Sequence, residues 1–196
     1  MLRPALIYTL AGVGGFVIMS LELLGGRVLA PYFGSDIYVW GSIITIFMLS
    51  LAIGYLGGGK LSLSNPSMGR FASLFLVAAV LLYPLVYFAE PLMELVFEHI
   101  EDPRYGSLVA ASTLFILPTV ALGFISPYSV RLLVESTHRS GEVAGRLYFV
   151  STLGSALGTL MTSFYFVLWF EINTILTCLA TTLVVLAIAG FAGRNL

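Results

Sequence analysis

Charge is what this chain has least of. Only 10% of its 196 residues are Asp, Glu, Lys or Arg, against roughly a quarter in a soluble domain. With 59% hydrophobic residues and a mean hydropathy of +1.01, too few polar groups remain to cover a globule. Lipid must replace water as the solvent for most of the surface. An excess of positive charge is also missing. The net charge of −1 and a pI near 6.1 exclude the basic face that a nucleic-acid partner requires. The single cysteine, Cys178, excludes an internal disulfide. The two histidines, His99 and His138, fall in different loops, and no Cys/His set has metal-ligand spacing. Neither a metal nor a cofactor is expected. No paired acids and no Ser/His or Cys/His set stand within the apolar runs, so no catalytic residue is assigned and an enzyme is not expected. The alternating short segments of a membrane β-barrel are absent too.

What the sequence has in quantity is long apolar runs. A bilayer-spanning helix needs about 20 mostly apolar residues, and six stretches qualify: 4–24, 38–58, 71–89, 107–126, 147–170 and 173–191. Backbone groups in lipid must bond internally, so these runs predict helices. The expected fold is an all-α integral membrane bundle of six transmembrane helices forming one domain over 1–196. The first run follows Arg3 but is too long for the apolar part of a signal peptide, and Arg27 interrupts the approach to any cleavage site. It is therefore expected to stay as a span.

Lys and Arg set orientation. Arg3, Lys60, Arg70, Arg131, Arg139, Arg146 and Arg194 fall on one side of the six-span arrangement, and Arg27 and Arg104 on the other. This split places both termini in the cytoplasm of a multi-pass protein of the plasma (inner) membrane. Asp36, Glu90, Glu94, Glu98, Glu101, Asp102 and Glu171 then lie outside. They form an electronegative face able to concentrate a cation, or simply a solvated one.

Between the first two spans, APYFGSDIYVW reads as a short aromatic loop at the membrane interface. EPLMELVFEHIEDPRYG reads as a short outer helix near 90–100 lying on the surface, with Glu90, Glu94 and Glu98 toward water. SVRLLVESTHRSGEVAGRLY reads as the longest polar loop, with a turn at Ser140-Gly141. Small residues recur at helical spacing. Ser50, Gly54 and Gly58 lie on one helix; Ser151, Ser155 and Thr159, and also Gly154, Gly158 and Thr162, on another. Gly12 and Gly15 offer the same in the first span. Such ladders let helix backbones approach closely. Pro84 and Pro118 inside spans predict kinks. Glu22 is the one acid in or beside a span, about 27 Å along its helix from Pro4. It serves either as a gate or cation-binding acid, with Arg27 and Asp36 beside it as candidates, or as an anchor paired with Arg27.

The run from Glu22 to Arg70 resembles the first two helices of the membrane-embedded spermidine synthase-like proteins, often described as fused major-facilitator/spermidine synthase proteins. The matching residues are Glu22, Arg27, Leu29, Ala30, Pro31, Phe33, Gly34, Val39, Trp40, Gly58, Gly59, Lys60 and Leu61. LPTVALGFISPYSVRLL (Leu117–Leu133) and GRLYFVSTLGSALGTL (Gly145–Leu160) are similar to later stretches of that family, with Ser151 where asparagine is common. The resemblance implies a bundle like half of a major-facilitator fold. Such a half pairs with a second copy to enclose a pathway, and the implied solute is a small polyamine-like cation. The family's soluble synthase domain has no counterpart here, so no aminopropyltransferase site is expected. The alternative is a non-transporting anchor or regulatory partner of a separate synthase-type enzyme. Ser62 and Leu63 stand where the major-facilitator loop motif has an Asp-Arg pair, although Gly69 and Arg70 fit it.

Overall fold

The protein's structure, a computed structural model, describes residues 2–134 and 136–195, among which no strand occurs. The helices follow in order: α1 (Leu2–Phe33), α2 (Ile37–Leu61), α3 (Met68–Leu82), α4 (Leu85–His99), α5 (Pro103–Gly123), α6 (Ile125–Leu133), α7 (Ser140–Met161), α8 (Val167–Trp169) and α9 (Ile172–Ala192). A π-helical turn, Thr162–Phe166, joins α7 to α8. Five segments are long and apolar enough to cross a bilayer: α1, α2, α5 with α6, α7 through α8, and α9. Helices α3 and α4, bent by 44° at their junction, make a sixth if taken as one span. The chain is thus a helical membrane bundle. Short links reverse its direction, gathering the starts of α1, α3 and α7 with the ends of α2, α6 and α9 on the amino-terminal side.

Several boundaries differ from the sequence-based expectation, each for a local reason. Helix α1 does not stop near Leu24 but runs to Phe33, with Arg27 and Pro31 inside it. Gly25 and Gly26 are contact points within it: a Cβ on Gly25 would lie 3.2 Å from the Phe115 ring and one on Gly26 2.6 Å from Trp40. The aromatic interfacial loop shrinks to Gly34–Asp36, turned by Gly34 at φ +79°, a conformation glycine adopts without cost. Pro84 does break its helix. The outer helix therefore starts at Leu85 rather than near 90 and takes over the end of the expected third span. Helix α5 continues through Pro118, and the interruption falls at Phe124 instead. Most of the expected fourth loop is helical. Ser140 and Gly141 open α7 rather than forming a turn.

Three helix pairs make the bundle: α1 with α7, α2 with α5, and α3 with α9. In the first pair, a Cβ on Gly154 would collide with the Gly12 carbonyl oxygen, and one on Gly158 with that of Phe16. In the second pair, a Cβ on Gly54 would meet the Val120 oxygen at 2.5 Å, and one on Gly58 the Phe124 oxygen at 2.6 Å. The match extends further. Gly15 abuts the Ser151 carbonyl as Gly123 abuts that of Leu51. Both pairs are parallel, since residue numbers rise together along each seam, and the two pairs run in opposite directions. The first three spans and the last three are therefore related by an inverted quasi-twofold. It exchanges α1 with α5 and α2 with α7, and relates α3 to α9.

Polar bonds close what glycine brings together. Ser155 Oγ donates to the Gly15 oxygen at 3.2 Å, and Ser20 Oγ to that of Gly158 at 3.4 Å. Ser42 and Ser107 bond at 3.0 Å across α2 and α5. Tyr128 is fully buried, stacks on Phe71 with centroids 5.9 Å apart, and accepts the Ser67 N–H at 3.1 Å. This pins α6 to the start of α3. Arg70 donates to the carbonyls of Ser64 and Asn65, so the link between α2 and α3 closes on backbone and not on an acid.

Gly154→Val is expected to destabilise the bundle by about 1–3 kcal/mol, since the added carbons meet backbone that has no rotamer to yield. Gly59, whose Cβ would meet nothing within 4 Å, is expected to accept alanine without loss. Thermal unfolding in detergent measures both; equal midpoints for the two variants would refute the seam.

Candidate functional site

Three cavities border α1; one, of about 450 Å³, lies against Tyr8, Gly145, Arg146, Phe149 and Val150 and is almost wholly apolar, and the other two hold more polar groups. The first, of about 420 Å³, lies between α1, α2, the α5–α6 junction and α7. Its wall includes Gly14, Ile18, Tyr55, Leu122, Ser126, Tyr148, Ser151, Thr152 and Ser155. Under the exchange set by the glycine seams, Gly14 corresponds to Leu122, Ile18 to Ser126, and Tyr55 to Ser155. All six line the cavity, so it sits across the quasi-twofold. Tyr148, Ser151 and Thr152 have Met48, Leu51 and Ala52 as counterparts, none of which lines it. These three extend the cavity toward the amino-terminal side.

The second cavity, of about 770 Å³, lies at the opposite side, between the end of α1, helix α4 and the α8–α9 junction. It is lined by Arg27, Tyr32, Tyr87, Glu90, Phe170, Glu171 and Asn173, among others. An aromatic contact also ties α1 to α4: Phe33 meets Phe97 edge-on with centroids 5.9 Å apart.

The candidates taken from the sequence are not brought together. Arg27 lines the second cavity and is exposed. Asp36 precedes α2 as its N-cap residue, exposed and without a side-chain capping bond. Glu22 lines neither cavity, but it lies four residues beyond Ile18 and seven beyond Gly15, on the α1 face that the first cavity borders. Arg27 is five residues further on and points well away from that face. Side chains five apart do not meet on a helix, and Glu22 has no ion-pair or hydrogen-bond partner among the described residues. The anchoring pair Glu22–Arg27 is not formed. The two ion pairs among the described residues, Arg139 and Arg146 with Glu142, are exposed and lie at the start of α7.

Both small-residue ladders of α7 meet α1. Gly154 and Gly158 abut the carbonyls of Gly12 and Phe16, while Ser151 and Ser155, which abut Gly15, also line the first cavity. Tyr55, Ser126, Tyr148 and Thr152 carried no sequence signal beyond polarity inside an apolar run. Ser50, Thr119 and Thr162 are buried with hydroxyls that meet no protein partner. No group of three or more His, Cys, Asp or Glu able to hold a metal occurs among the described residues. No protein-family model, curated protein or solved structure matches the chain.

Because Glu22 and Arg27 are unpaired, a thermodynamic cycle of Glu22→Gln, Arg27→Gln and the double variant is expected to give a coupling below about 0.5 kcal/mol. Unfolding midpoints in detergent report it, and a coupling of several times that size would restore the pair.

Proposed function

We propose that this chain is a transporter-like integral membrane protein that binds and moves a small cationic, polyamine-like solute. The observation that carries the reading is the first cavity. It is a space walled partly by hydroxyl groups and partly by apolar side chains, lying across the quasi-twofold of two inverted three-helix units, with Glu22 one turn further along the same face of α1. Inverted repeats with a site at their interface are the common plan of secondary transporters. An ionisable group on a membrane helix is kept there for function more often than for stability. The resemblance of Glu22–Arg70 to the membrane part of the fused major-facilitator/spermidine synthase proteins, and of such a bundle to half of a major-facilitator fold, points the same way.

Orientation follows from charge. Arg3, Lys60, Arg70, Arg131, Arg139, Arg146 and Arg194 favour an amino-terminal side in the cytoplasm of the plasma membrane. The second cavity then opens outward with Glu90 and Glu171 against a single Arg27, a net negative mouth that favours cations. Because one copy leaves the Glu22 face of α1 only half covered, a second copy facing the first is the proposed working unit.

The purified chain in liposomes is expected to take up labelled polyamine saturably, and Glu22→Gln to reduce that uptake to background. Wild-type uptake in Glu22→Gln would remove Glu22 from the pathway. Absence of both uptake and any thermal shift with polyamines would overturn the reading and leave the anchor for a separate synthase-type enzyme.

A further inference from the structure

Hydroxyl groups on membrane helices have two ways to avoid the cost of an unmet hydrogen bond: they bond back to their own helix, or they face something polar. This chain uses the first way repeatedly. Thr9, Ser112, Thr113, Thr177, Thr181 and Thr182 each donate to the carbonyl four residues earlier, at 2.6 to 3.0 Å. Around the first cavity only Ser155 is bonded, across to the Gly15 oxygen. Ser126, Ser151, Thr152, Tyr55 and Tyr148 have no hydrogen-bond partner among the described residues, although all five line one space. Unbonded hydroxyls occur elsewhere too, buried at Ser50, Thr119 and Thr162, exposed at Thr45, Ser163 and Thr174, and at Tyr32 in the second cavity, but no comparable group of them shares one space.

Exposure does not explain the difference. Thr152 and Thr181 are both exposed, yet only Thr181 bonds back to its helix. Against hydrocarbon, each unmet hydroxyl loses the hydrogen bonds it makes in water and gains none in return. Facing water or a polar solute, they cost little. We propose that the first cavity is a water-filled hydrogen-bonding site within the membrane, entered from the amino-terminal side past Tyr148 and Thr152. It takes the uncharged hydrogen-bonding parts or the ammonium groups of a solute, since its wall offers hydroxyl oxygens and no carboxylate. The site is the one invoked for the proposed function. The inference, however, rests only on the chain's placement in a membrane and not on a cationic cargo.

Thiol accessibility tests it on the full chain in sealed membrane vesicles of each orientation. Cys178 is first replaced (Cys178→Ala), and single cysteines are placed at Ser126, Ser151 and Thr152 in the cavity, and at Thr113 and Thr181 as lipid-facing controls. A charged, membrane-impermeant methanethiosulfonate is added from one side at a time. Reaction needs water and the thiolate, and a rise of one unit in thiol pKa in lipid already removes roughly 90% of the thiolate. The cavity positions are therefore expected to react at least about tenfold faster than the controls, and only from the amino-terminal side. Equal rates at cavity and control positions, or reaction only from the opposite side, would overturn the inference. Putrescine added before the reagent separates the two proposals. Protection of the Ser151→Cys variant supports a cationic solute in this site. Fast labelling without protection leaves the aqueous site standing and counts against that solute.

Discussion

The whole bundle depends on backbone touching backbone at glycine. In lipid there is no hydrophobic gain in bringing one apolar helix to another, because the tails they displace are equally apolar. What remains is dispersion at close range, and it falls away within an ångström or so of lost contact. Gly154 and Gly158 against the carbonyls of Gly12 and Phe16, and Gly54 and Gly58 against those of Val120 and Phe124, provide that range. The dependence is greatest for α7. Its span is only 17% buried over its most apolar window, so the seam with α1 is its main hold. The same seam sets the wall of the first cavity, because Gly15 meets the Ser151 carbonyl and Ser155 bonds the Gly15 carbonyl within it.

The quasi-twofold holds for the backbone and fails for the chemistry. Contacts at Gly15 and Gly123 correspond, yet the residues beside them do not: Ser151 has Leu51 as its counterpart, and Glu22 has Val130. The frame is duplicated while the polar groups are placed on one side of it. That asymmetry gives the first cavity a direction, toward the start of α7. It also leaves α1 with two unlike faces, one bordering the hydroxyl-lined space and carrying Glu22, the other presenting Arg27 to a cavity shared with Glu90 and Glu171.

Much of this frame was legible in the sequence because its rules are local. Apolar length located the spans, and the second and sixth agree with α2 and α9 to within a few residues. Small residues four apart marked the helices that pack closely. The end of α1 was not legible, since apolar run length marks where a span leaves the hydrocarbon and not where its helix stops. Only the partners Phe115 and Trp40 show why Gly25 and Gly26 sit inside it. Nor did the sequence say which ladder of α7 lines a cavity. Both ladders meet α1, and only the serine one, at the edge of that seam, also borders the open space. The failed pairing of Glu22 with Arg27 was foreseeable from spacing alone, once both residues fell on one continuous helix.

The site lies where the rules of membrane folding are broken. Lipid offers no hydrogen bond, and this chain meets that constraint at many positions, by bonding threonine back to its own helix, by joining Ser42 to Ser107, and by giving Tyr128 the N–H of Ser67. Exceptions occur on several helices, buried Ser50, Thr119 and Thr162 among them, but in one place they gather. Five free hydroxyls surround one cavity, and the free carboxylate of Glu22 stands one turn beyond it on the same face of α1. Such a cluster is a local conflict with stability, and conflicts of that kind are expected at functional or strained sites. Thr181 and Ser112 have bonded back to their own helices, whereas these groups gain from any polar partner that reaches them, so hydrocarbon is the least favourable neighbour for this face.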